Sequence, residues 1–374
     1  MGLYEKLKRA SFSLNDKTNL LQNGYIISEM PLWTKLHQRH GYPAMGLSRG
    51  QFLEILYEAL PHSQETVRTG CRVVDLQITA NGVTAVLQDG RTEEASIVIG
   101  SDGVWSKTKE ALQQLNTELD TEMFSTRINF QGLYGKAPAM SGVKPGTFYE
   151  TRSNGIATQV VGSEGTMLFS LIQTVDTSTP VPRKYTLEDR EAMASRFAEV
   201  QVAPGVRFKD VWRIAERETA TMVNQEEGYA ANWHHGRLVI VGDAAHKMTS
   251  ISGLGLNTGL HSAAVLVNQL HDIHRLNKDP PAFLIEDAFA TYYNIRQSET
   301  YSAFRLGQSL TRNVTWSSWA DWIWDRFIMP WLNQDYIICD RISPLVSRGQ
   351  LLSYVPFQEL KGVVPWQSQS KERY

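Results

Sequence analysis

Arg237 to Leu270 reads R-L-V-I-V-G-D-A-A-H-K-M-T-S-I-S-G-L-G-L-N-T-G-L-H-S-A-A-V-L-V-N-Q-L, and this stretch decides the fold. Its first apolar run, Leu238 to Val241, is rich in β-branched residues and predicts a buried strand. An acidic turn and a glycine-rich loop follow, and from about Asn257 the apolar residues recur at helical spacing. This order of elements is typical of the way an α/β protein holds a phosphate-bearing ligand.

The loop offers two kinds of contact to such a ligand. Gly253, Gly255 and Gly259 allow the backbone to come close, and the helix that follows presents free N–H groups and a partial positive charge. Asp243, at the carboxyl end of the strand, can accept hydrogen bonds from ribityl or ribose hydroxyls. The three glycines taken alone are equally compatible with an ordinary strand-to-helix turn that has an Asp cap.

The complete string resembles the G-D-x-x-H-x-M-x-P-x-x-G-x-G-x-N motif of FAD-dependent (group A) monooxygenases. The closest resemblance is to the fungal branch that epoxidises prenyl chains in meroterpenoid and indole-diterpene pathways. The matching residues are Gly242, Asp243, His246, Met248, Gly253, Gly255 and Asn257. Ser250 stands where proline is usual, and Leu256 stands where a small residue is usual. The resemblance implies FAD as cofactor and NAD(P)H as reductant, with Asp243, Gly255 and Leu256 at the FAD, the last two through backbone groups.

A second acidic turn lies about 140 residues earlier. Ala95 to Gly100 predicts a buried strand that leads into S-D-G-V-W-S-K-T-K, which starts at Ser101. An Asp-Gly pair after a strand is a common turn by itself. The string nevertheless resembles the G-A-D-G-x-x-S-x-x-R motif of the same family, which implies that Asp102 contacts the FAD. Lys109 replaces the usual arginine and lacks its bidentate geometry. We expect the two acidic turns to meet at one groove.

Three further side chains are candidates for the site. Arg49 follows Ser48, the predicted N-cap of a helix over Leu47–Leu60, and the family implies an FAD contact for it although a surface role is common for arginine. Tyr134, in Q-G-L-Y-G-K, lies where some relatives place an active-site tyrosine, and it is the candidate catalytic residue. A lone tyrosine is more often part of the core. His246 is interpreted as structural or adjacent to the flavin and not as a catalytic base.

Residues 1–50 contain no G-x-G-x-x-G sequence, although the family begins with a strand, that loop and a helix. Met1 to Ala10 resembles the helix that follows this unit in the family. Three explanations stay open at this stage. The gene model starts too late, the protein binds flavin poorly or not at all, or the fold has been repurposed.

The remainder of the chain predicts a mixture of strands and helices. Asn81-Gly82 and Asp89-Gly90 indicate hairpin turns. Phe124 to Val175 predicts antiparallel strands of a sheet that covers the substrate, and Thr186 to Ala198 predicts a capped helix. By family position, Trp212-Arg213 is expected in a strand. We divide the chain into three regions. An FAD-binding domain consists of residues 1–112 and 226–312, and a substrate-binding sheet domain of residues 113–225 lies between these two parts. A helical region covers residues 313–374.

Composition excludes several classes of protein. The net charge of −2 arises from interspersed charges, so there is no electrostatic case for nucleic-acid binding. Cys71 and Cys339 are isolated and show neither a disulfide framework nor metal-ligand spacing. The first ten residues have no apolar core of the kind that a signal peptide needs. We therefore expect an intracellular protein, either cytoplasmic or peripheral to a membrane.

Val314 to Leu332 contains five of the ten tryptophans. Charged residues interrupt it, so it is too short to be a membrane-spanning helix. Two interpretations stay open: a helix at a membrane interface, where tryptophan is favoured, and a helix packed on the core.

These observations predict an α/β protein of mixed α+β character. It has an N-terminally truncated, Rossmann-like FAD-binding domain, an antiparallel substrate-covering sheet and a helical C-terminus. The predicted function is an FAD-dependent monooxygenase that inserts one oxygen atom into a small hydrophobic substrate, a prenylated or terpenoid natural product of fungal secondary metabolism. The alternative is a flavin-free isomerase or cyclase, or an inactive binding module, on the same fold.

Overall fold

The structure, a computed structural model, describes residues 2–79, 81–115, 126–357 and 359–367. The strands in these ranges are β1 Phe12–Ser13, β2 Asp16–Leu21, β3 Ile26–Met30, β4 Met45–Gly46, β5 Val73–Ile78, β6 Val83–Leu87, β7 Thr92–Ala95, β8 Val98–Gly100, β9 Arg127–Pro138, β10 Thr147–Ser153, β11 Ile156–Gly162, β12 Thr166–Thr179, β13 Gln201–Ala203, β14 Val206–Arg207, β15 Thr221–Tyr229, β16 His234–His235, β17 Leu238–Ile240 and β18 His246–Lys247. The α-helices are α1 Tyr4–Ala10, α2 Leu32–His40, α3 Arg49–Ala59, α4 Ser63–Thr66, α5 Lys107–Leu115, α6 Leu187–Arg196, α7 Phe208–Ile214, α8 Leu254–Leu276, α9 Ala282–Val314, α10 Trp319–Ile323 and α11 Gln334–Ser347. Short 3₁₀ helices span Gly242–Ala244, Ser250–Ser252 and Met329–Trp331, and a π-helical turn spans Trp324–Ile328.

A small sheet carries the two acidic turns. Its strand order is β16-β17-β8, and β17 and β8 are parallel neighbours. Residues from α5, α8 and α9 pack on it, and Leu238, Val239 and Ile240 are fully buried. This agrees with the strand predicted from Leu238 to Val241. The buried core around it contains Leu112, Trp233, Leu266, Phe289 and Tyr292.

The predicted hairpins form a separate three-stranded sheet in the order β5-β6-β7. Both neighbouring pairs are antiparallel, with register Ile78↔Val83 and Val86↔Thr92 next to the two turns. The Asn-Gly and Asp-Gly signals are therefore confirmed as turns between strands.

The largest sheet among the described residues has eight strands in the order β18-β15-β9-β12-β11-β10-β2-β3. The antiparallel strands predicted between Phe124 and Val175 are confirmed from residue 127 onward, and Phe124 itself lies outside the described residues. One face packs on α6 and α7, where Phe197, Phe208 and Trp212 are buried. The sheet takes its last two strands, β2 and β3, from residues that our division assigned to the FAD-binding domain.

Two local predictions are confirmed by their caps. Ser48 caps α3 together with Gln51, and Thr186 caps α6 together with Asp189, each as a reciprocal capping box. However, α3 buries none of its residues, and its apolar side chains Leu53 and Tyr57 are exposed, as is Leu60 at its C-cap.

Two other predictions need correction. Trp212 and Arg213 lie in α7 and not in a strand, because Val211 and Trp212 pack with Phe208 on the large sheet as one face of a helix. The helix expected from about Asn257 begins at Leu254, directly after Gly253. Gly253 has a φ of 64° and supplies the left-handed residue from which the helix starts.

The C-terminal part is helical. α9 runs for 33 residues and packs against α8, and the shorter helices follow it. None of the described helices is long and apolar enough to cross a membrane. The mixed α/β architecture and the helical C-terminus agree with the fold class that the sequence predicts.

Candidate functional site

The two acidic turns lie at the same edge of the small sheet. Ile240 pairs with Gly100 in the parallel register of β17 and β8, and the amide of Val241 donates to the Gly100 carbonyl at 3.0 Å. Asp102 and Asp243 follow these two strands within three residues. Because parallel strands end at the same edge, both carboxylates come to one side of the sheet, as the two motifs predict.

A buried acid on the large sheet joins the two turns. The Glu226 carboxyl of β15 accepts a hydrogen bond from Trp105, which belongs to the first turn. Burial raises the pKa of Glu226, and the nearby Asp243 carboxylate raises it further, whereas Lys247 and the Trp105 hydrogen bond lower it. Asp243 itself pairs with Lys247 at 2.8 Å. Residues of both turns therefore meet at the edge of the large sheet.

Asp102 is engaged by its own turn. Its carboxylate accepts hydrogen bonds from the Ser106 hydroxyl and from the backbone amides of Lys107 at 2.8 Å and Thr108 at 3.4 Å. It thereby caps α5 and fixes the loop between β8 and this helix. In this structure the Asp102 carboxylate is therefore engaged within its own turn.

The glycines of the second turn leave open space. Gly242 and Gly253 have positive φ, and a methyl group added at Gly242, Gly253 or Gly255 would meet no other atom within 4 Å. The N-cap residue of α8, Gly253, offers no side-chain cap, and the Leu254 amide donates to the Ser252 hydroxyl at 3.4 Å. A methyl group at Gly259 would lie 3.6 Å from the Gly242 Cα, so the first turns of α8 pack directly on the Asp243 loop. We call this region, formed by Asp102, Asp243, Gly242, Gly253, Gly255 and the first turn of α8, the flavin groove, after the cofactor that the two motifs imply.

The flavin groove fits a dinucleotide cofactor. The glycines leave the backbone free of side chains, and α8 begins beside the loop that carries Asp243, whose carboxylate pairs with Lys247. Leu256, in the first turn of α8, is 58% exposed. Lys109 turns inward to donate to the Val104 carbonyl at 2.8 Å, and burial lowers its pKa. That contact leaves it a structural partner of the turn.

Ser250 connects the flavin groove to the large sheet. Its hydroxyl bonds the Tyr134 hydroxyl of β9, and its amide donates to the Gln225 side chain of β15 at 2.9 Å. A proline has no N–H and no hydroxyl, so it could make neither contact. The departure of Ser250 from the family motif thus has a structural account, and it brings Tyr134 to the loop before α8.

Tyr134 belongs to a row of polar side chains that crosses the large sheet. Paired residues on seven neighbouring strands form this row: Thr221, Tyr134, Ser170, Gln159, Glu150, Asn19 and Ser28. Gln159 donates to Glu150 at 3.2 Å and to the Ile251 carbonyl at 3.1 Å. The polar row therefore holds the 3₁₀ helix Ser250–Ser252 through Tyr134 and Gln159. Gln159 and Gln225 were not predicted from the sequence, where the signal for each was a polar residue within an otherwise regular strand.

Comparison with known proteins identifies the family. The profile described as "FAD binding domain" matches residues 2–278. The FAD-dependent monooxygenase srdH of Neurospora crassa is 34% identical over 98% of this chain and 86% of its own length. The chain belongs to the family of FAD-dependent monooxygenases.

Further relatives extend this result. The FAD-dependent monooxygenase ptmM of Penicillium ochrochloron is 27% identical over 96% of this chain and 86% of its length. The FAD-dependent monooxygenase DEP2 of Alternaria brassicicola is 28% identical over 87% of this chain, which spans 64% of DEP2. Klebsiella pneumoniae HpxO complexed with FAD and uric acid has a TM-score of 0.73 at 18% identity, over 91% of this chain and 82% of HpxO. At this identity the likeness shows the fold. FAD is the cofactor of the monooxygenase, with NAD(P)H the typical reductant of the family.

His246 of the monooxygenase follows the Asp243 turn, in β18, and lies against α8. It is fully buried against Trp233, and its Nε2 lies 3.2 Å from the Ser262 hydroxyl. Burial lowers its pKa to about 4, and the Arg296 guanidinium adds to this effect. The imidazole is therefore neutral at physiological pH and has no solvent access, which agrees with a structural role.

Arg49 lies at the first turn of α3, and its side chain is exposed. Among the described residues, it has no hydrogen bond or ion pair. The structure thus leaves its guanidinium available to an anionic ligand, but no described contact joins it to the acidic turns.

A second group of charged residues in the monooxygenase is buried. Arg152 bonds both Glu150, at 2.8 Å, and Asp325, while Lys17 bonds Glu150 at 3.0 Å. We call these four residues the charge cluster. Burial alone would raise the pKa of Glu150, but Lys17 and Arg152 lower it to about 2. The cluster ties the large sheet to the π-helical turn that contains Asp325.

Proposed function

We propose that the chain catalyses the FAD-dependent insertion of one oxygen atom into a hydrophobic, prenylated or terpenoid substrate of fungal secondary metabolism. The reaction is an epoxidation or a hydroxylation, with NAD(P)H as the reductant. The structural observation that carries the proposal is the convergence of Asp102 and Asp243 on adjacent parallel strands, next to the N-terminus of α8. The substrate class rests on the sequence resemblance, and the monooxygenase names of srdH and ptmM support the reaction class.

In this proposal the residues of the flavin groove hold the cofactor. Asp243 accepts hydrogen bonds from the ribityl hydroxyls, and Gly255 and Leu256 contact the FAD through their backbone amides. Asp102 keeps the first turn in place, and Arg49 supplies a cation to a phosphate. Bound FAD, once reduced, supplies the chemistry of oxygen activation and transfer.

Tyr134 orients groups in the site rather than exchanging a proton. Burial raises the pKa of its hydroxyl to about 12, against the opposing effect of the hydrogen bonds with Ser250 and Gln225. The hydroxyl is therefore protonated at physiological pH and holds its proton. Together with Gln159 it fixes the Ser250–Ser252 loop between the sheet and the flavin groove.

The test of the proposal is a titration of the purified chain with FAD, followed by absorbance, and then a turnover assay. We expect the spectrum of a bound oxidised flavin, NAD(P)H consumption, and a mass gain of one oxygen atom in a prenylated aromatic substrate. Asp243→Ala should weaken FAD binding by about 10- to 100-fold, because it removes a charge-assisted hydrogen-bond acceptor.

The control variant is Asp89→Ala, which changes an exposed acid in the β6–β7 turn. It should bind FAD as the parent does. A chain that stays colourless with excess FAD would contradict the proposal and favour the flavin-free alternative, an isomerase, cyclase or binding module.

A further inference from the structure

Trp105 is an exposed aromatic side chain on the first acidic turn. It lies three residues after Asp102 in the sequence, and it is 45% exposed. Within the described residues, neither another aromatic ring nor a cation stacks on its indole. A single exposed aromatic side chain is common on protein surfaces, so the contacts that hold this one decide what it can do.

The indole is held in one orientation from inside the protein. Its N–H, the single donor of the side chain, donates to the carboxyl group of Glu226, which is 8% exposed. The backbone beside it is also fixed, because the Lys109 ammonium donates to the Val104 carbonyl at 2.8 Å. The polar atom of the ring is thus satisfied internally, and the part that reaches solvent is apolar ring surface. A ring that is already ordered loses little conformational entropy when a ligand stacks on it.

The surroundings of the indole are acidic. Asp102 and Asp243 lie on the two turns, and Glu226 lies at the indole N–H. Lys247 is engaged with Asp243 at 2.8 Å, and Lys109 turns inward to a backbone carbonyl. Glu226 forms no ion pair with any described residue. Its burial is the chief reason why its pKa is raised, and a positive charge on the exposed side of the ring would stabilise its carboxylate.

These contacts favour a planar aromatic cation as the ligand. Tryptophan attracts cations more strongly than the other aromatic side chains do, and a flat ring can cover the exposed indole by stacking. The isoalloxazine ring and a prenylated aromatic substrate are planar but uncharged, so they would gain the stacking without the charge attraction. The proposed reaction produces one planar aromatic cation. When a hydride leaves the dihydronicotinamide ring for the flavin, that ring becomes a pyridinium cation.

We propose that Trp105 and Glu226 bind the nicotinamide ring of the reductant, and that they hold its oxidised pyridinium form more tightly than its reduced form. The indole stacks on the ring, while the Glu226 carboxylate orients the indole and attracts the positive charge. The choice of nicotinamide rests on the proposed function. The preference for a planar cation does not, and it can be measured without flavin and without turnover.

The experiment compares two probes that share one ring and differ in charge. The full chain, free of FAD, is titrated with the ring-N-methylated nicotinamide cation and with uncharged nicotinamide. Ligand-observed NMR measures both affinities, and difference absorbance detects the charge-transfer band of an indole stacked on a pyridinium ring.

The variants separate the ring from the charge. Trp105→Leu removes the ring, and Glu226→Gln removes the charge but still accepts a hydrogen bond from the indole. The matched control is Trp324→Leu, because Trp324 is 40% exposed and lies in the C-terminal π-helical turn. Trp105→Phe, which keeps a smaller ring, serves as a second test if thermal melting shows that Trp105→Leu is not folded.

We expect the parent chain to bind the cation about tenfold more tightly than nicotinamide. Trp105→Leu should lose the charge-transfer band and bind the cation about tenfold more weakly, because the stacking surface is gone, and Trp105→Phe should lose the band and bind with an intermediate affinity. Glu226→Gln should keep the band and the affinity for nicotinamide, but it should lose most of the preference for the cation. Trp324→Leu should match the parent.

Several outcomes would overturn the proposal. Equal affinity of the parent for the two probes is one, and tighter binding of nicotinamide is another, since it would assign the indole to an uncharged ring. An affinity for the cation that the Trp105 variants leave unchanged, or that Trp324→Leu loses equally, would place the probe elsewhere. Flavin titration separates this test from that of the proposed function. A chain that prefers the cation but takes up no FAD would contradict the proposed function alone, and a chain that takes up FAD without this preference would contradict the present inference alone.

Discussion

The flavin groove and the charge cluster use the same residue types in opposite ways. Asp243 in the groove is 44% exposed and has one lysine partner, whereas Asp325 in the cluster is almost fully buried against an arginine. The glycines of the groove leave space around the backbone, while the cluster closes around its charges with direct hydrogen bonds. A site that must receive a ligand keeps polar groups available, and a site that must hold two elements together satisfies them internally. Substitutions in the groove should therefore change binding, and substitutions in the cluster should change stability.

The largest effect is expected in the charge cluster. Asp325→Ala should lower the free energy of unfolding by about 3–5 kcal/mol, because Arg152 then stays buried with one of its two acidic partners missing. Asp340→Ala is the matched control, since it breaks a pair with Arg39 at the surface and should cost no more than about 1 kcal/mol. Chemical denaturation of both variants measures the difference. Equal losses would remove the distinction between a buried anchor and a surface pair.

The next effect concerns His246, which is buried against α8, and depends on pH. The pKa of His246 is lowered to about 4 in the folded protein, chiefly by burial, so the unfolded chain takes up this proton first as the pH falls. Stability is therefore present above about pH 6.5 and is lost between about pH 6.5 and pH 4, by on the order of 3 kcal/mol. Below about pH 4 both states are protonated, and this contribution stays constant.

His246→Gln should make that part of the profile less steep, because glutamine carries no titrating proton and can still reach Ser262, while His261, whose burial also lowers its pKa to about 4, continues to titrate. His271→Gln is the control, since His271 is partly exposed and stacks on Tyr354. The melting temperature as a function of pH measures both. A profile of His246→Gln that falls as steeply as the parent's would show that this imidazole does not titrate as proposed.

A smaller effect is expected where the groove is open. Gly255→Val should weaken FAD binding by about tenfold or more, because the added side chain occupies space that the structure leaves empty, while the melting temperature of the FAD-free protein changes little. Gly165→Val is the control, since an added Cβ there also meets nothing but lies in a hairpin of the large sheet. Flavin titration of both variants distinguishes lost cofactor space from a general effect of the larger residue. Unchanged binding by Gly255→Val would place the cofactor elsewhere.

The fold around the flavin groove could be predicted because its signals are local. The strand before Gly242, the glycines and the helical spacing after them are contiguous, and the Asp102 motif repeats the pattern on the neighbouring strand. The helix caps Ser48 and Thr186 could likewise be predicted, because each cap and its partner lie within four residues of sequence. Parallel strands place such turns at one edge, so the convergence followed from topology.

The remainder depended on contacts between distant residues. Tyr134 meets Ser250 across 116 residues, and Arg152 meets Asp325 across 173, separations at which periodicity gives no information. The helix at Trp212 was missed because the family position was used instead of the local apolar spacing. The sequence also could not decide whether the tryptophan-rich stretch lies at a membrane interface or packs on the core. The burial of its side chains depends on the contacts of Asp325, which the local sequence does not reveal.

The smallest effect is expected at Tyr134, where the polar row of the large sheet contacts the flavin groove. Tyr134→Phe should reduce kcat by a few-fold, because the loop loses one hydrogen bond to Ser250 while Gln225 and Gln159 still hold it. Because the pKa of Tyr134 is raised to about 12, the hydroxyl is neutral from about pH 6 to pH 9, and the pH profile of kcat should keep its shape over that range. Steady-state rates of the parent, Tyr134→Phe and Tyr185→Phe test this, the last variant removing a hydroxyl that bonds Asn224 outside the groove. A loss of a hundredfold or more, or the disappearance of a limb of the profile in Tyr134→Phe alone, would make Tyr134 an acid or base. It would then belong to the reacting groups and not to the framework that positions the loop.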